Sequence, residues 1–398
     1  MSEKANAITH VFKLSKEIGP RRPTSENERK ASEYISSFLT QQGLDPVTEQ
    51  FKAPATFSWT YVLLFGIFIV AFLVFYFYGT FVGALLSILG LVLFILEGSS
   101  KETISKVVPK GISQNVWAVI KPKNTETKKI LLVAHYDSSR AAWFFNPSFV
   151  KYFRPLFVLM FSSAVLSAIM LTIDALVIAL IPSQVLGISL HTLISYLIYI
   201  PMFFLVLGFV SMIHRELFHK DVPGANDNAS GVSVLLELAS ILSKEPLENT
   251  SVTVLATGSE ESGMYGMIKF LEKHGHQYRK AYIINFDNLG VGKSYYVVGE
   301  GIITTVKSDP ELIKLAEAVS KENPNLGFKS IVYKLLPTDA TPAIIRGFKA
   351  MSIMSFDENK LLPHWHWYTD IAENVEKETL NRVLKFSLAL VKKIDSIK

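Results

Sequence analysis

Two long stretches with almost no charged side chains constrain this 398-residue chain more than any other feature of its sequence. Residues 53–96 contain no charged side chain, and Asp174 is the only carboxylate in residues 155–213. A membrane-spanning helix needs about 20 apolar residues, so each stretch is long enough for two helices and a turn. The alternative is a buried helix of a soluble protein, but lengths of 44 and 59 residues disfavour it.

We therefore predict two transmembrane hairpins, residues 53–98 and 151–216, with turns near Tyr78 and residues 181–184. Two hairpins cross a bilayer an even number of times, so the three polar segments lie on one side. Lysine and arginine residues flank these segments, whereas the hairpin tips have none. Because basic residues in short loops stay in the cytoplasm, we expect the polar part to be cytoplasmic. Residues 1–6 lack the apolar core of a signal peptide, which predicts an amino terminus that is not exported.

Charge and cysteine content exclude several classes of function. The net charge is only +5, and the basic residues form no dense stripe with interleaved aromatic residues, so nucleic acid is not a predicted partner. The absence of cysteine excludes disulfides, thiolate metal ligands and a cysteine nucleophile. The predicted partners are instead the lipid bilayer and a substrate.

Outside the hairpins, strand-like and helix-like segments alternate along the chain. Strands are predicted at residues 45–51, 114–121, 129–134, 251–257, 281–286, 294–298, 331–335 and 350–356. Helices are predicted at residues 25–43, 232–242, 264–273 and 377–394, and from residues 309 and 341 onward. This alternation predicts an α/β fold, a mostly parallel mixed sheet flanked by helices, with residues 114–121 and 129–134 as neighbouring strands. The polar segments 1–52, 99–150 and 217–398 then form one domain, into which the hairpins are inserted.

Histidine and carboxylate side chains follow several of the predicted strands. His135 and Asp137 end the first buried strand, Glu260 and Glu261 follow a later one, and Asp287 ends the next. Open α/β sheets bind ligands at the carboxyl ends of their strands, and Zn²⁺ takes imidazole nitrogen and carboxylate oxygen. Each residue alone has a plain structural explanation, such as a helix cap or a solvated charge. The adjacent glutamates nevertheless cost stability unless a cation or a proton compensates their charge.

Five motifs, in order along the chain, resemble those of the M28 family of zinc peptidases, which are aminopeptidases of phosphorylase/hydrolase-like fold. The motifs are His135-x-Asp137, Gly-Ala-Asn-Asp-Asn-Ala-Ser-Gly at residues 224–231, Glu260-Glu261, Asp287 in Asn-Phe-Asp-Asn-Leu-Gly, and a late His followed four residues on by Asp. Together they cover about residues 112–375. Each motif alone is weak, whereas the ordered set is specific.

The resemblance implies a site with two zinc ions per chain. The implied metal ligands are His135, Asp227, Glu261, Asp287 and His366. Asp227 would bridge the ions, His135 and Asp287 would complete one, and Glu261 and His366 the other. Glu260 would be the general base. Asp137 would orient His135, because metal-bound imidazoles usually need such a partner.

Two positions near the end of the chain stay open. His364 and His366 are both candidates for the last ligand, and the family's spacing of four residues to Asp370 favours His366. Family members often have a tyrosine before this histidine that stabilises the oxyanion, but this chain has Trp365. The Trp365 indole and Tyr368 are the candidate donors.

The 89 residues between Asp137 and Asp227 also depart from soluble relatives, which usually have a short loop there. Because the inserted hairpin leaves and re-enters the rim of the site, we expect the cleft to open close to the bilayer. The substrates would be peptides that are membrane-associated or emerge from the membrane. The alternative is a simple tether. Asp174 is expected to pair with a hydroxyl or to have a functional role, and Thr338-Asp339 to cap a helix near the rim.

The leading interpretation is a membrane-integral di-zinc aminopeptidase that cleaves the N-terminal bond of peptides. One alternative is a single-zinc glutaminyl cyclase, which would carry out acyl transfer rather than hydrolysis. The other is a non-catalytic receptor or scaffold on the same fold, but such relatives lose metal ligands and none is missing here.

Overall fold

The computed structural model describes residues 7–181 and 184–397, and within these residues the chain forms a nine-stranded sheet. The strands are β1 (Val47–Pro54), β2 (Lys110–Ile120), β3 (Lys128–His135), β4 (Thr250–Thr257), β5 (Tyr282–Asp287), β6 (Lys293–Glu300), β7 (Val306–Lys307), β8 (Lys329–Tyr333) and β9 (Lys349–Phe356). The helices are α1 (Ala7–Phe12), α2 (Glu26–Gln41), α3 (Ser58–Phe77), α4 (Thr80–Gly98), α5 (Phe153–Leu180), α6 (Gln184–Leu197), α7 (Tyr199–Phe218), α8 (Ser230–Lys244), α9 (Tyr265–His274), α10 (Pro310–Glu322), α11 (Ala340–Ile345) and α12 (Lys377–Ser396).

The sheet is parallel at its centre and mixed toward its edges, where β8 runs parallel to β6. Its order is β1-β2-β4-β3-β5-β9-β6-β7, and β8 pairs with β6. Strands β4, β3, β5 and β9 run parallel, whereas β2 pairs antiparallel with β1 and β4, and β6 pairs antiparallel with β9 and β7. The mixed sheet flanked by helices confirms the predicted fold class.

One predicted strand pairing is wrong. Residues 114–121 and 129–134 were expected to be neighbours, but β4 lies between β2 and β3, antiparallel to the first and parallel to the second. Neighbouring strands are about 4.8 Å apart, so the linker of residues 121–127 is long enough to pass over one strand. A short linker therefore does not by itself specify a hairpin.

Strand β3 is a continuous apolar run because both of its faces are buried. Ile130 and Leu132 are buried in the core cluster that includes α1, α2, α8 and α12, whereas Leu131 and Val133 are buried in the cluster that includes α9 and α11. Side chains of a strand alternate between the two faces of the sheet. Because helices cover both faces, every position of β3 from residue 130 is apolar up to His135.

Four helical segments are long and apolar enough to cross a membrane: Ser58–Phe77, Thr80–Gly98, Val150–Leu180 and Ser189–Phe218. They coincide with the two predicted hairpins. The predicted turn at residues 181–184 includes residues 182 and 183, which lie outside the described part of the chain. Helix α3 packs against α4 and α7, and α5 packs against the same two helices, so α3 and α5 lie diagonally across a bundle.

Asp174, the acidic residue within the second apolar stretch, is fully buried in this bundle. It accepts a hydrogen bond from the Thr80 hydroxyl at 2.6 Å and lies 2.9 Å from Nδ1 of His191. A carboxylate is costly in hydrocarbon unless it has such partners. The expected pairing with a hydroxyl is therefore present, together with a histidine that the sequence did not indicate.

The second hairpin joins the sheet domain through a short antiparallel stem. The backbone N–H of Val222 donates to the carbonyl of Ser139, and that of Ala141 donates to the carbonyl of Lys220. The buried guanidinium of Arg215, at the end of α7, donates to the carbonyl of Arg140 at 2.9 Å. The apolar helices of the second hairpin are thus attached within a few residues of the end of β3.

Candidate metal centre

Three neighbouring strands bring the predicted site residues to one edge of the sheet. His135 is the last residue of β3 and Asp287 the last residue of β5, while Glu260 and Glu261 follow the end of β4. The strand order β4-β3-β5 makes these three ends adjacent. Because the strands are parallel, their carboxyl ends meet at the same edge.

Asp227 reaches the same edge from the turn of residues 225–229, which follows the second hairpin. Gly224 begins this turn with a φ of +64°, a conformation that favours glycine. A Cβ at Gly231 would lie 2.3 Å from Oδ1 of Asn228 and 2.5 Å from the carbonyl of Phe286. The glycines therefore let the turn pack directly against the end of β5.

The two carboxylate oxygens of Asp227 face two different histidines. Oδ1 lies 3.2 Å from Nε2 of His135, and Oδ2 lies 3.1 Å from Nε2 of His366. Asp287 adds an oxygen 3.8 Å from the His135 nitrogen, and Glu261 adds one 3.1 Å from the His366 nitrogen. The five residues thus form two groups of three ligand atoms that share Asp227.

Each group fits a transition-metal ion of the size of zinc. Ligand atoms at about 2.0–2.1 Å from a tetrahedral ion lie roughly 3.3 Å from one another, close to most of the separations above. Glu261 Oε1 and His366 Nδ1 are buried without a hydrogen-bond partner, although buried polar atoms are normally satisfied. Three imidazole and carboxylate ligands with a free fourth position are typical of catalytic zinc sites.

The pKa shifts of Glu261 and His366 also indicate a site for a cation. Burial raises the pKa of Glu261, and the charge of Asp227 adds to this effect, whereas His366 opposes it. Burial opposes protonation of His366, yet Glu261 and Asp227 raise its pKa to about 9. Without a metal ion, protons on the histidines therefore balance the buried carboxylates. A divalent cation would replace these protons, as metal ions do when they bind histidine sites.

Glu260 lies at the inner wall of the same site. Its Oε2 is 4.0 Å from Nε2 of His135, and it belongs to neither group of ligand atoms. Burial holds the pKa of Glu260 well above its usual range; His135 opposes this, whereas Asp339 and Glu261 contribute to it. Glu260 is thus a buried carboxyl beside the ligands rather than among them.

Asp137 contacts the backbone of the glutamate turn as well as His135, the partner that the sequence suggested. Its Oδ1 is 3.6 Å from Nδ1 of His135, beyond hydrogen-bonding distance, and the nearest acceptor for that nitrogen is the Asp137 carbonyl at 3.3 Å. Its carboxylate instead accepts from the backbone N–H groups of Glu260 and Glu261, each at 3.0 Å. Asp137 therefore holds the turn that carries the glutamate pair.

Asp370 holds the turn that carries Asp227, as Asp137 holds the turn that carries the glutamate pair. Its two oxygens accept from the backbone N–H groups of Asn226 at 2.6 Å and Asp227 at 3.1 Å. The fully buried guanidinium of Arg21 holds the same turn from the other side and donates to the carbonyls of Pro223 and Gly224. Two buried carboxylates and one buried guanidinium thus fix the backbone of the ligand-bearing turns.

The structure separates the two late histidines. His366 is buried with its Nε2 between Asp227 and Glu261, whereas Nδ1 of His364 lies 2.9 Å from the Thr369 hydroxyl. His364 belongs to neither group of ligand atoms found among the described residues. The spacing to Asp370 thus selected the histidine that lies at the site.

The candidate oxyanion donors also differ in position. Trp365 lines the cavity at the site, whereas the Tyr368 hydroxyl lies 3.0 Å from Nδ1 of His219 and accepts from the backbone N–H of Lys220. Sequence reasoning missed Tyr333 at the end of β8, which is buried and lines the same cavity. Burial raises the pKa of Tyr333 well above its usual range, and the charge of Asp287 adds to this. No sequence motif marks this tyrosine.

Thr338 and Asp339 were expected to cap a helix near the rim, but only Thr338 does so. The Thr338 hydroxyl accepts from the backbone N–H of Ala340 and so caps α11, whereas Asp339 accepts from the Thr257 hydroxyl at 2.5 Å. The charge of Asp339 is close enough to raise the pKa of Glu260. Asp339 therefore lies at the site and does not cap the helix.

Comparisons with known proteins relate this chain to a peptidase family. Residues 211–391 match the model of peptidase family M28. Aminopeptidase YwaD of Bacillus subtilis is 27% identical over 163 residues, which are 40% of this chain and 35% of that protein. The chain thus spans about a third of the length of that relative.

Solved structures show the same fold over nearly the whole chain. A zinc aminopeptidase from Bacillus subtilis, BSAP, has a TM-score of 0.56 at 15% identity, over 98% of this chain and 94% of that one. A glutaminyl cyclase from Bacteroides thetaiotaomicron has a TM-score of 0.57 at 15% identity, over 98% and 97%. At this level of identity the similarity concerns the fold.

Proposed function

This chain carries a peptidase family M28 domain, and on that premise we propose that it is a membrane-integral di-zinc aminopeptidase. The observation that carries the proposal is the position of Asp227, whose two oxygens face His135 and His366 separately. A carboxylate between two histidines is suited to bridge two ions. Each ion would then have one further ligand, Asp287 or Glu261.

The zinc ions would supply an acidified water and an electrophile for the scissile carbonyl. Glu260 would take the proton of the attacking water on its side-chain oxygen as the carbon–oxygen bond forms. It would return this proton to the leaving amine as the carbon–nitrogen bond breaks. The burial of Glu260 beside the ligands, and its raised pKa, support this role.

The oxyanion that forms on the carbonyl needs a hydrogen-bond donor. Tyr368 is bound to His219 and Lys220 and is the weaker of the two candidates from the sequence. Trp365 and Tyr333 both line the cavity at the metal centre. We propose Tyr333 as the main donor, because its buried phenol lines the cavity and lies close enough to Asp287 and Asp227 for their charges to raise its pKa, in addition to the effect of burial.

The polar segments 1–52, 99–150 and 217–398 would form the catalytic domain, with the hairpins 53–98 and 151–216 inserted into it. The four apolar helices support this arrangement. The basic residues beside the polar segments favour a cytoplasmic catalytic domain. Cysteine substitutions at Lys52 and Lys220, labelled from either side of sealed vesicles, test the orientation.

A single-zinc glutaminyl cyclase is the second candidate, because a glutaminyl cyclase is among the solved structures of the same fold. Such an enzyme would need only one of the two ligand groups. The complete second group, with His135 and Asp287, favours two ions and hydrolysis. Zinc content near one per chain, with ring closure of an amino-terminal glutamine peptide, would favour the cyclase instead.

The experiment that tests the function measures zinc content and the hydrolysis of free-amine and blocked peptides by the purified full chain in lipid nanodiscs. We expect two zinc ions per chain and cleavage of free-amine peptides only. Glu260→Gln should lower kcat by about 10²–10⁴-fold and keep both ions. Glu322→Gln, on the surface of α10, is the matched control and should be fully active. Full activity of Glu260→Gln would exclude the proposed base.

A further inference from the structure

One cavity connects the candidate metal centre with the membrane helices. Its lining includes His135, Asp227 and Glu260 at one end and residues of α3, α5 and α7 at the other. Its volume is about 230 Å³. An apolar cavity of about 150 Å³ already binds a benzene ring, so this space holds a bulky side chain and part of its neighbour. We call the part between the helices the apolar chamber.

Helices α3 and α5 form opposite walls of the apolar chamber. They lie diagonally across the bundle, so they leave space between them at the end nearest the sheet domain. The chamber-lining residues of these walls include Phe57, Tyr61, Phe65, Phe153, Leu156 and Met160. From residue 57 to residue 65 the helix rises by about 12 Å, at 1.5 Å per residue. The chamber therefore extends about two helical turns into the bundle.

The segment that leads into the second hairpin lies directly against a candidate metal ligand, and the first turn of the hairpin lies against the residue next to that ligand. The ring of Phe145, which precedes α5, lies 4.5 Å from the ring of His366 in an edge-on contact. Phe153, in the first turn of α5, lies 5.3 Å from Trp365. A substrate bound at the metal centre would therefore touch residues of the insertion. This contact distinguishes the hairpin from a remote tether.

Charged side chains are confined to the ends of the chamber, as far as the described residues show. Away from the metal centre, the charged lining residues are Glu97, Lys101 and Glu102, at and just after the end of α4. Glu102 is already paired with Lys110 and Lys269. A charged substrate side chain between α3 and α5 would lose water and would find there, among the described lining residues, only the hydroxyl groups of Thr60 and Tyr61 as partners. An apolar side chain would gain from the same burial.

We infer that the apolar chamber receives bulky apolar side chains beside the scissile bond, so that the substrates are peptides derived from membrane-spanning segments. This inference rests on the proposed peptidase function. The volume of about 230 Å³ admits one bulky apolar side chain and part of its neighbour, so the residues next to the scissile bond decide the fit. A peptide is the occupant, rather than a lipid, because the chamber is continuous with groups suited to hydrolyse an amide bond.

The first test compares two peptide series of equal length, with Leu-Leu-Leu or Ser-Ser-Ser beside the bond, on the full chain in nanodiscs. We expect kcat/KM to be about 100-fold higher for the leucine series, since apolar pockets discriminate in this range. Leu156→Trp narrows the chamber, because Leu156 lines it. Leu159→Trp is the matched control on the same helix, because Leu159 is exposed and lies outside the lining.

We expect Leu156→Trp to lower kcat/KM for the leucine series about 10-fold, on the same scale of apolar discrimination, and to leave the serine series and the zinc content unchanged. Leu159→Trp should change neither series. A second readout does not depend on turnover: Trp143 and Trp365 line the cavity, so their fluorescence should respond when a leucine peptide binds the Glu260→Gln enzyme. A serine peptide should give no response.

The outcomes separate this inference from the proposed function. If the zinc-loaded enzyme hydrolyses no peptide, the proposed function is wrong. If it hydrolyses both series with equal kcat/KM, and Leu156→Trp has the same effect as Leu159→Trp, only the role of the chamber is wrong. If the tryptophan fluorescence responds to added phospholipid but not to the leucine peptide, the chamber is a lipid site.

Discussion

The carboxylate of Asp137 accepts a hydrogen bond from the backbone N–H of Glu261 at 3.0 Å. Asp137 follows β3 and Glu261 follows β4, so this contact ties together the ends of two adjacent strands. It holds in place the turn that carries both the proposed base and a proposed ligand. Asp137 therefore acts on the site by fixing the backbone of the glutamate turn.

Replacing Asp137 with asparagine should weaken zinc binding. The amide supplies only one acceptor oxygen for two backbone N–H groups, and its NH₂ group would face one of them. We expect a loss of about 10–100-fold in zinc affinity and of about 1–3 kcal/mol in unfolding free energy. Competition with a chelator and thermal unfolding measure the two effects.

Asp309→Asn is the control for this prediction, because Asp309 also accepts from two backbone N–H groups, at the start of α10. Asparagine is a good N-cap, so this variant should match the parent protein. Equal zinc affinity of the two variants would contradict the role of Asp137.

The late histidines should differ in zinc content. His366→Ala removes a nitrogen that lies 3.1 Å from both Asp227 and Glu261, so zinc should fall from two ions per chain to about one. His364→Ala should keep both ions. Metal analysis after dialysis measures the difference, and loss of zinc from the His364 variant alone would reverse the assignment.

Tyr333→Phe should lower kcat and leave KM and zinc content nearly unchanged. Loss of one oxyanion donor typically costs about 10²–10³-fold in kcat. Tyr295→Phe is a matched control, because its ring contacts the same Phe356 but lies outside the cavity lining. Steady-state kinetics with one free-amine peptide make the comparison. Equal kcat for the two variants would leave Trp365 as the remaining donor.

Stability should depend on pH through Glu28, which is buried beneath the glutamate turn. It accepts from the Ser113 hydroxyl at 2.8 Å and from the backbone N–H of Ser259 at 3.0 Å. Burial, reinforced by the charge of Asp137, raises its pKa from 4.5 to about 8. The folded state therefore binds this proton more tightly than the unfolded state, and the associated stability is lost as pH rises from about 4.5 to 8.

Glu28→Gln removes this titration, so its unfolding free energy should fall less steeply than that of the parent protein between pH 5 and about 8. Glu33→Gln, an exposed position on the same helix, is the control and should follow the parent curve. Chemical unfolding at several pH values tests the difference. Parallel curves for Glu28→Gln and the parent would show that Glu28 has an ordinary pKa in the folded protein.

The sequence predicted most elements of this fold because they have a local signal, whereas the short elements α1 and β7 were not predicted. Ser25 marks the start of α2, and its hydroxyl accepts from the backbone N–H of Glu28 at 3.2 Å, as expected of a serine that caps a helix. The uncharged stretches indicated the apolar helices, because length and composition alone decide that property. Hydrogen bonding across the sheet has no such signal, and the order of β2, β4 and β3 was therefore mispredicted.

The sequence by itself determined which residues could serve a metal centre, since the types of side chain and their order along the chain carry that information. Only the tertiary structure decided that Asp227 faces two histidines, that Asp137 and Asp370 hold backbone turns, and that Tyr333 lines the cavity. The reason is physical: these contacts join residues from distant parts of the chain, and their distances depend on how strands and helices pack rather than on neighbouring residues.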